Sequence, residues 1–95
     1  MQIDNIIWLP NIVDKVAWKH NVVPQEIEEV LFAHPLYRKV QRGRLPGEDL
    51  YAALGQTATG RYLFVLFVYK PVTREALLIS ARDMSKKERR QYGRK

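Results

Sequence analysis

The run Arg61-Tyr62-Leu63-Phe64-Val65-Leu66-Phe67-Val68-Tyr69-Lys70, followed after a short break by Glu75-Ala76-Leu77-Leu78-Ile79-Ser80-Ala81-Arg82, decides the fold. Apolar residues occupy both parities of Tyr62 to Tyr69, which predicts a central strand covered on both faces. Ala76 to Ala81 repeats that signature more weakly. If the chain turns back between Lys70 and Arg74, the two segments form a hairpin, and the start of the first lies beside the end of the second. Arg61 and Arg82 then stand at the same end of one sheet. They share a face if Arg61 faces Arg82, whereas a one-residue slip in register puts them on opposite faces.

Outward from this hairpin, Gly55 through Gly60 supplies the turn into Arg61, and Asp49 to Gln56 reads as the strand before it. Leu36 to Val40 is suited to an edge strand. Gln41 to Gly47 contains two glycines, a proline and two arginines, the composition of a mobile basic loop. Pro24 suits a first helical position, Glu26 favours the positive end of the helix dipole, and Ile27, Val30 and Leu31 form the buried stripe of a helix ending near His34-Pro35. Before it, Pro10 and Asn11 open a helix whose stripe is Ile12, Val13, Val16, Ala17 and His20, closed by Asn21. Gln2 to Trp8 is a short β-prone piece. At the other end Ser85 and Glu88 form a capping box, and Gly93 is a natural stop for a helix over residues 86–92. The pattern is α+β: an antiparallel sheet packed by two N-terminal helices and a short C-terminal one. At 95 residues the chain supports a single domain over 1–95, burying about two thirds of its unfolded surface.

Composition excludes several classes. A hydrophobic fraction of 46% argues against disorder, and the absence of cysteine removes disulfide and thiolate–metal frameworks. No apolar run approaches the roughly 18 residues of a membrane span, and Met1 to Leu9 carries Asp4 but no basic leader, so the protein reads as soluble, unexported and cytoplasmic. His20 and His34 stand fourteen apart and no cysteine joins them, which makes a structural zinc site improbable. There is no glycine-rich phosphate loop, serine elbow or dinucleotide fingerprint. No cofactor is inferred.

Charge is segregated. Residues 1–34 hold two lysines against five carboxylates, a balance of −3, while residues 35–95 hold 14 basic against five acidic side chains, a balance of +9, for the net +6. Such a field steers a polyanion to one region. Clustered guanidinium groups suit phosphate and repel one another without an anionic partner, which makes RNA the first partner to test.

Binding an RNA backbone calls for cationic stabilisation of the nonbridging oxygens, and any reaction at the phosphate calls for proton transfer as well. Arg61 and Arg82 are the candidates for the first task; the alternative is that each caps a strand or pairs with Asp83 or Glu75. Histidine is a recurrent acid–base residue, which makes His20 the candidate for the second; the alternative is a packed imidazole on an apolar helix stripe. Glu48 is a base, an orienter of an arginine, or an exposed turn carboxylate. Arg89 and Tyr92, three apart on the last helix, are candidates for phosphate and base contacts, with docking of Tyr92 on the sheet as the alternative. Arg38, Lys39, Arg42 and Arg44 are placed to guide RNA or to be merely solvated.

Longer motifs carry a resemblance. Trp8, Lys19-His20, Pro24-Gln25-Glu26 and Val30-Leu31-Phe32, then Gly47-Glu48, Ala53-Leu54-Gly55, Gly60-Arg61, Ile79-Ser80-Ala81-Arg82 and Glu88-Arg89-Arg90-Gln91-Tyr92, are similar in order and spacing to BrnT-like toxins. The resemblance covers nearly the whole chain. It implies a RelE-like fold, an RNA-cleaving toxin activity that inhibits translation, and neutralisation by a BrnA-like antitoxin whose other part binds operator DNA. Leu9 and Ile12 stand where such sequences usually carry aspartate and lysine, Asn21 where they carry glycine, and Leu50 where a Gly-Glu-x-Arg stretch ends. These departures define the alternative: a catalytically weakened relative that binds antitoxin or RNA.

Overall fold

The computed structural model describes residues 1–94. The elements run β1 (Asn5–Ile7), α1 (Pro10–His20), α2 (Pro24–Leu31), β2 (Leu36–Gln41), β3 (Leu50–Gln56), β4 (Tyr62–Lys70), β5 (Glu75–Asp83) and α3 (Lys86–Gly93). The sheet order is β1-β5-β4-β3-β2, so the strand with the longest apolar run lies in the middle and β2 lies at an edge, both as expected. The expectation of a wholly antiparallel sheet is corrected at one strand. β2 to β5 are antiparallel, but β1 pairs with β5 in parallel, Ile6 opposite Ala76. Two helices separate β1 from the rest of the sheet, so no hairpin fixes its direction. It is anchored by Asp4 N–H donating to the Arg74 carbonyl at 2.8 Å.

Local chemistry sets the helix boundaries. Pro10 and Pro24 each occupy a first-turn position, where a missing N–H costs nothing. Asn21 closes α1 in the left-handed region at φ 54°, its N–H returning to the Ala17 carbonyl. Helix α2 stops at Leu31, earlier than the expected His34-Pro35 boundary; His34 already has φ 53°, which no helix continues. Ser85 and Glu88 form the predicted capping box at the head of α3.

The core lies between one sheet face and α1 with α2. Leu63, Val65 and Phe67 of β4 and Ala76, Leu78 and Ala81 of β5 are fully buried against Val16, Ile27, Val30 and Leu31. Each such large side chain contributes about 1.5–3 kcal/mol of burial. The opposite face of β4, Tyr62, Phe64, Leu66 and Val68, is only half-buried. There α3, which has no buried residue, covers one end. The central strand is thus covered fully on one side and partly on the other, and the partial cover leaves polar chemistry accessible.

The approach of α2 to the sheet depends on Gly55. A Cβ at that position would lie 2.9 Å from Cγ1 of buried Val30 and 3.3 Å from Cβ of Pro35, both stiff neighbours. Gly55→Ala should therefore destabilise the protein by about 1–3 kcal/mol, read as a lower midpoint in chemical or thermal unfolding.

Candidate functional site

Arg61 and Arg82 do stand at the same end of the sheet, but on opposite faces. The pairing of β4 with β5 runs Tyr69 opposite Ala76 and Phe67 opposite Leu78, then shifts, so that Leu66 faces Ser80 and Phe64 faces Arg82. Ile79 is the extra residue of a bulge. Without it Arg82 would share the helix side with Arg61; with it, Ala81 enters the core and Arg82 turns to the α3 side.

On the helix side all five N–H donors of Arg61 are used. Nε donates to Asp83 Oδ1 at 2.8 Å and Nη2 to Asp83 Oδ2 at 3.3 Å. Nη1 reaches the Asn21 carbonyl at 2.6 Å and both oxygens of Glu26 at 3.1 Å, and Nη2 takes the His20 carbonyl at 3.0 Å. Glu26 in turn accepts from the Val23 N–H that opens α2. Arg61 ties together the end of α1, the start of α2 and the end of β5. The Asp83 pairing expected as the alternative reading is present. The Asp83 carboxyl is held below the usual carboxylate range, chiefly by its hydrogen bonds from Arg61, with the nearby His20 ring adding to the effect.

On the α3 side the arrangement is open. Arg82 lies over the Phe64 ring at 4.1 Å, and Arg89 over the Tyr62 ring at 4.0 Å. Tyr62 and Phe64 are alternate residues of β4, so the two guanidinium groups rest on platforms about 7 Å apart along the strand. Glu88 accepts from Nη1 and Nη2 of Arg82 at 2.8 and 2.9 Å, and Nη1 also donates to the Asp83 carbonyl. Among the described residues no protein acceptor meets the Nε–H, so the edge of Arg82 formed by Nε and the second Nη2 hydrogen remains available for two parallel bonds to an oxyanion. The Glu88 carboxyl is pulled down to about 2, first by hydrogen bonding from Arg82 and then by the Ser85 backbone. Tyr92 meets Tyr62 edge-on at 6.0 Å, docking α3 on the sheet as its alternative reading had it, and Arg38 reaches Gln91 at 2.6 Å. A hollow of about 550 Å³ opens beside them, lined by Gln56, Tyr62, Arg89, Arg90, Tyr92 and Gly93.

The remaining candidates lie elsewhere. Glu48 pairs with Lys70 at 2.9 Å, at the far end of β4, so it does not meet His20, Arg61 or Arg82. Arg42 and Arg44 are at that far end too, where they line a separate hollow of about 450 Å³ with Lys39 and Asp49. Asp49 organises this loop: buried, it accepts from Lys39 at 2.9 Å and from Gly43 N–H at 2.8 Å, bonds that hold its carboxyl below the ordinary range. Gly43 permits that contact, since a Cβ there would lie 1.8 Å from the Glu48 carbonyl oxygen. Among the described residues no group of three or more His, Cys, Asp or Glu side chains could hold a metal ion, and no helix is long and apolar enough to cross a membrane.

Sequence reading missed the carboxylates Glu26, Asp49 and Glu88 as organisers and the ring platform of Tyr62 and Phe64. Their i, i+2 spacing on a strand ending near two arginines is the signal that could have found the platform.

Comparison with protein-family models matches residues 8–88 to the ribonuclease toxin, BrnT, of type II toxin-antitoxin systems. The chain belongs to that family. A comparison with individually curated proteins found no match. The BrnT match spans both arginines and reaches Glu88, so the core hairpin, the Arg61 clamp and the Arg82–Glu88 pair fall within it. The family is one of ribonuclease toxins that act with antitoxins, which fits a basic face with accessible guanidinium donors.

The two arginines should respond differently to truncation. Arg61→Ala removes the donor shared by two carboxylates and two carbonyls in a partly buried site and should cost about 3 kcal/mol; Arg82→Ala, nearer solvent, should cost about 1 kcal/mol. Urea denaturation of both variants checks the ranking.

Glu88 predicts an acid limb as well. Its folded value lies below the ordinary 4.5, so its contribution is complete above that pH and is lost as pH falls toward 2. Glu88→Gln should make stability fall less steeply over that window, measured by denaturation at successive pH values.

Proposed function

We propose that this BrnT-family chain is a RelE-like, metal-independent endoribonuclease that cleaves RNA in the cytoplasm to inhibit translation. A BrnA-like antitoxin neutralises it, and operator DNA is reached only through that antitoxin. The observation that carries the reading is the unoccupied Nε/Nη2 edge of Arg82 beside Arg89, both resting on aromatic rings at one end of the α3 face. A ring beneath a guanidinium fixes its plane and shields one side from water, which strengthens what it offers a phosphate on its remaining edge.

In this reading Arg82 binds a nonbridging oxygen of the scissile phosphate and stabilises the charge that builds there. Arg89 holds the neighbouring backbone. His20 carries proton transfer from across the rim of the sheet. Arg61, with every donor committed, is a positioning residue: by holding the His20 and Asn21 carbonyls it fixes the end of α1 that bears the imidazole. Glu48 is left outside the chemistry, and Arg42 and Arg44 guide RNA electrostatically from the distant loop.

A second reading has its own observation. Glu88 already occupies the outer fork of Arg82, and Leu50 replaces an expected arginine, which favours a weakened enzyme that binds antitoxin or RNA without efficient turnover.

Purified protein should cleave single-stranded RNA in the presence of EDTA, and Arg82→Ala, verified as folded, should lower the rate by about 100-fold or more. Wild-type cleavage by that variant would end the proposed role of Arg82. RNA binding without turnover, together with no growth arrest on expression, would select the second reading. His20→Gln should lower kcat with little change in KM; wild-type turnover by that variant would move proton transfer elsewhere.

A further inference from the structure

We infer that the hollow between β4 and the end of α3 is a nucleobase subsite, in which one base of single-stranded RNA stacks on the outer face of the Arg89 guanidinium and presents its edge to Gln56. The inference rests on RNA being the substrate and adds where a base, rather than a phosphate, is held.

The inner face of Arg89 is spent on the Tyr62 ring at 4.0 Å, while the residue itself is exposed. Tyr62 is fixed in turn by the edge-on contact with Tyr92, an interplanar angle of 79°. A guanidinium seated over a ring leaves its other side open, and guanidinium planes stack nucleobases in single-stranded RNA. A solvated arginine offers no such surface. Gln56 stands directly across from Tyr62 in the β3–β4 register, so its side chain projects on the same sheet face. Its Nε2 donates to the Gly60 carbonyl at 3.3 Å, which orients the amide and leaves its oxygen and one N–H without a protein partner among the described residues. An oriented amide with one donor and one acceptor matches the paired functions on a base edge. The hollow's volume of about 550 Å³ falls in the range of small-ligand sites. Arg82 lies one platform further along β4, so a base in this hollow places its own backbone toward the donor edge assigned to the scissile phosphate.

The test uses a ten-nucleotide 2′-O-methyl RNA, which cannot be cleaved through its 2′-oxygen, and an abasic counterpart, both followed by fluorescence polarisation. Wild-type protein should bind the intact probe about five- to tenfold more tightly than the abasic one. Arg89→Lys keeps the charge but loses the plane, and should bind the two probes alike. Gln56→Ala should narrow the spread of affinities across oligo(A), oligo(C) and oligo(U) versions of the probe. Equal binding of intact and abasic probes by the wild type, or a full abasic penalty retained in Arg89→Lys, overturns the subsite; an unchanged spread in Gln56→Ala removes Gln56 from it. Cleavage of unmodified RNA is read separately. Cleavage without base dependence defeats the subsite alone, and base-dependent binding without cleavage defeats the enzymatic reading alone.

Discussion

The Arg61 guanidinium is the constraint on which the rest of this structure depends. Helices α1 and α2 are short, at 11 and eight residues, and lengths of this kind are not stable in isolation. Their apolar stripes supply burial, but burial alone does not fix where the α1–α2 corner sits along the sheet. Arg61 does so by taking two carbonyls from the end of α1, the carboxylate that opens α2, and the carboxylate that ends β5. A lysine could not reproduce this, because three donors on a point charge cannot span four acceptor groups in different directions. The clamp also places the imidazole-bearing end of α1 at the rim of the sheet where β4 begins.

A second constraint acts on the opposite face. Helix α3 buries none of its residues, so it cannot be held by a hydrophobic stripe. It is held instead by the Tyr62–Tyr92 ring contact, the Arg38–Gln91 hydrogen bond and Glu88, which caps the helix through Ser85 and grips Arg82 at once. Each of these contacts is polar or aromatic and near solvent, hence weaker than core packing. Such a helix leaves guanidinium edges and ring platforms accessible, which a well-buried amphipathic helix would cover. Glu88 draws on one fork of the Arg82 cation and leaves the Nε/Nη2 edge open. That arrangement keeps two arginines side by side in the free protein at low electrostatic cost.

How much of this was legible follows from the range of each signal. The proline starts of α1 and α2, the Ser85–Glu88 box and the doubly apolar β4 are local patterns, and each was readable because its cause lies within a few residues. The direction of β1 was not readable, since its partner is about seventy residues away and no turn links them. His20 and Glu48 were named as candidates by residue type rather than by position. Glu48 belongs to the β3 entrance and Lys70, at the other end of the strand from Arg61. The antiparallel hairpin placed both arginines at one end correctly, yet could not say which way either pointed.

That last distinction turns on Ile79. In an unbroken ladder beginning with Tyr69 opposite Ala76, residues 76, 78, 80 and 82 would all face the helices, burying Ser80 in the core and adding Arg82 to the side already occupied by Arg61. Two guanidinium groups would then compete for Glu26 while Asp83 turned to the other face, and a serine hydroxyl would need a partner in an apolar layer. One inserted residue resolves both conflicts: Ala81 fills the core, Ser80 turns away, and Arg82 emerges beside Phe64 with Glu88 in reach. The same residue type therefore holds the fold on one face and keeps an open donor edge on the other. A single bulge separates the two roles, and its cause is the preference of the core for Ala81 over Ser80 rather than any requirement of the site itself.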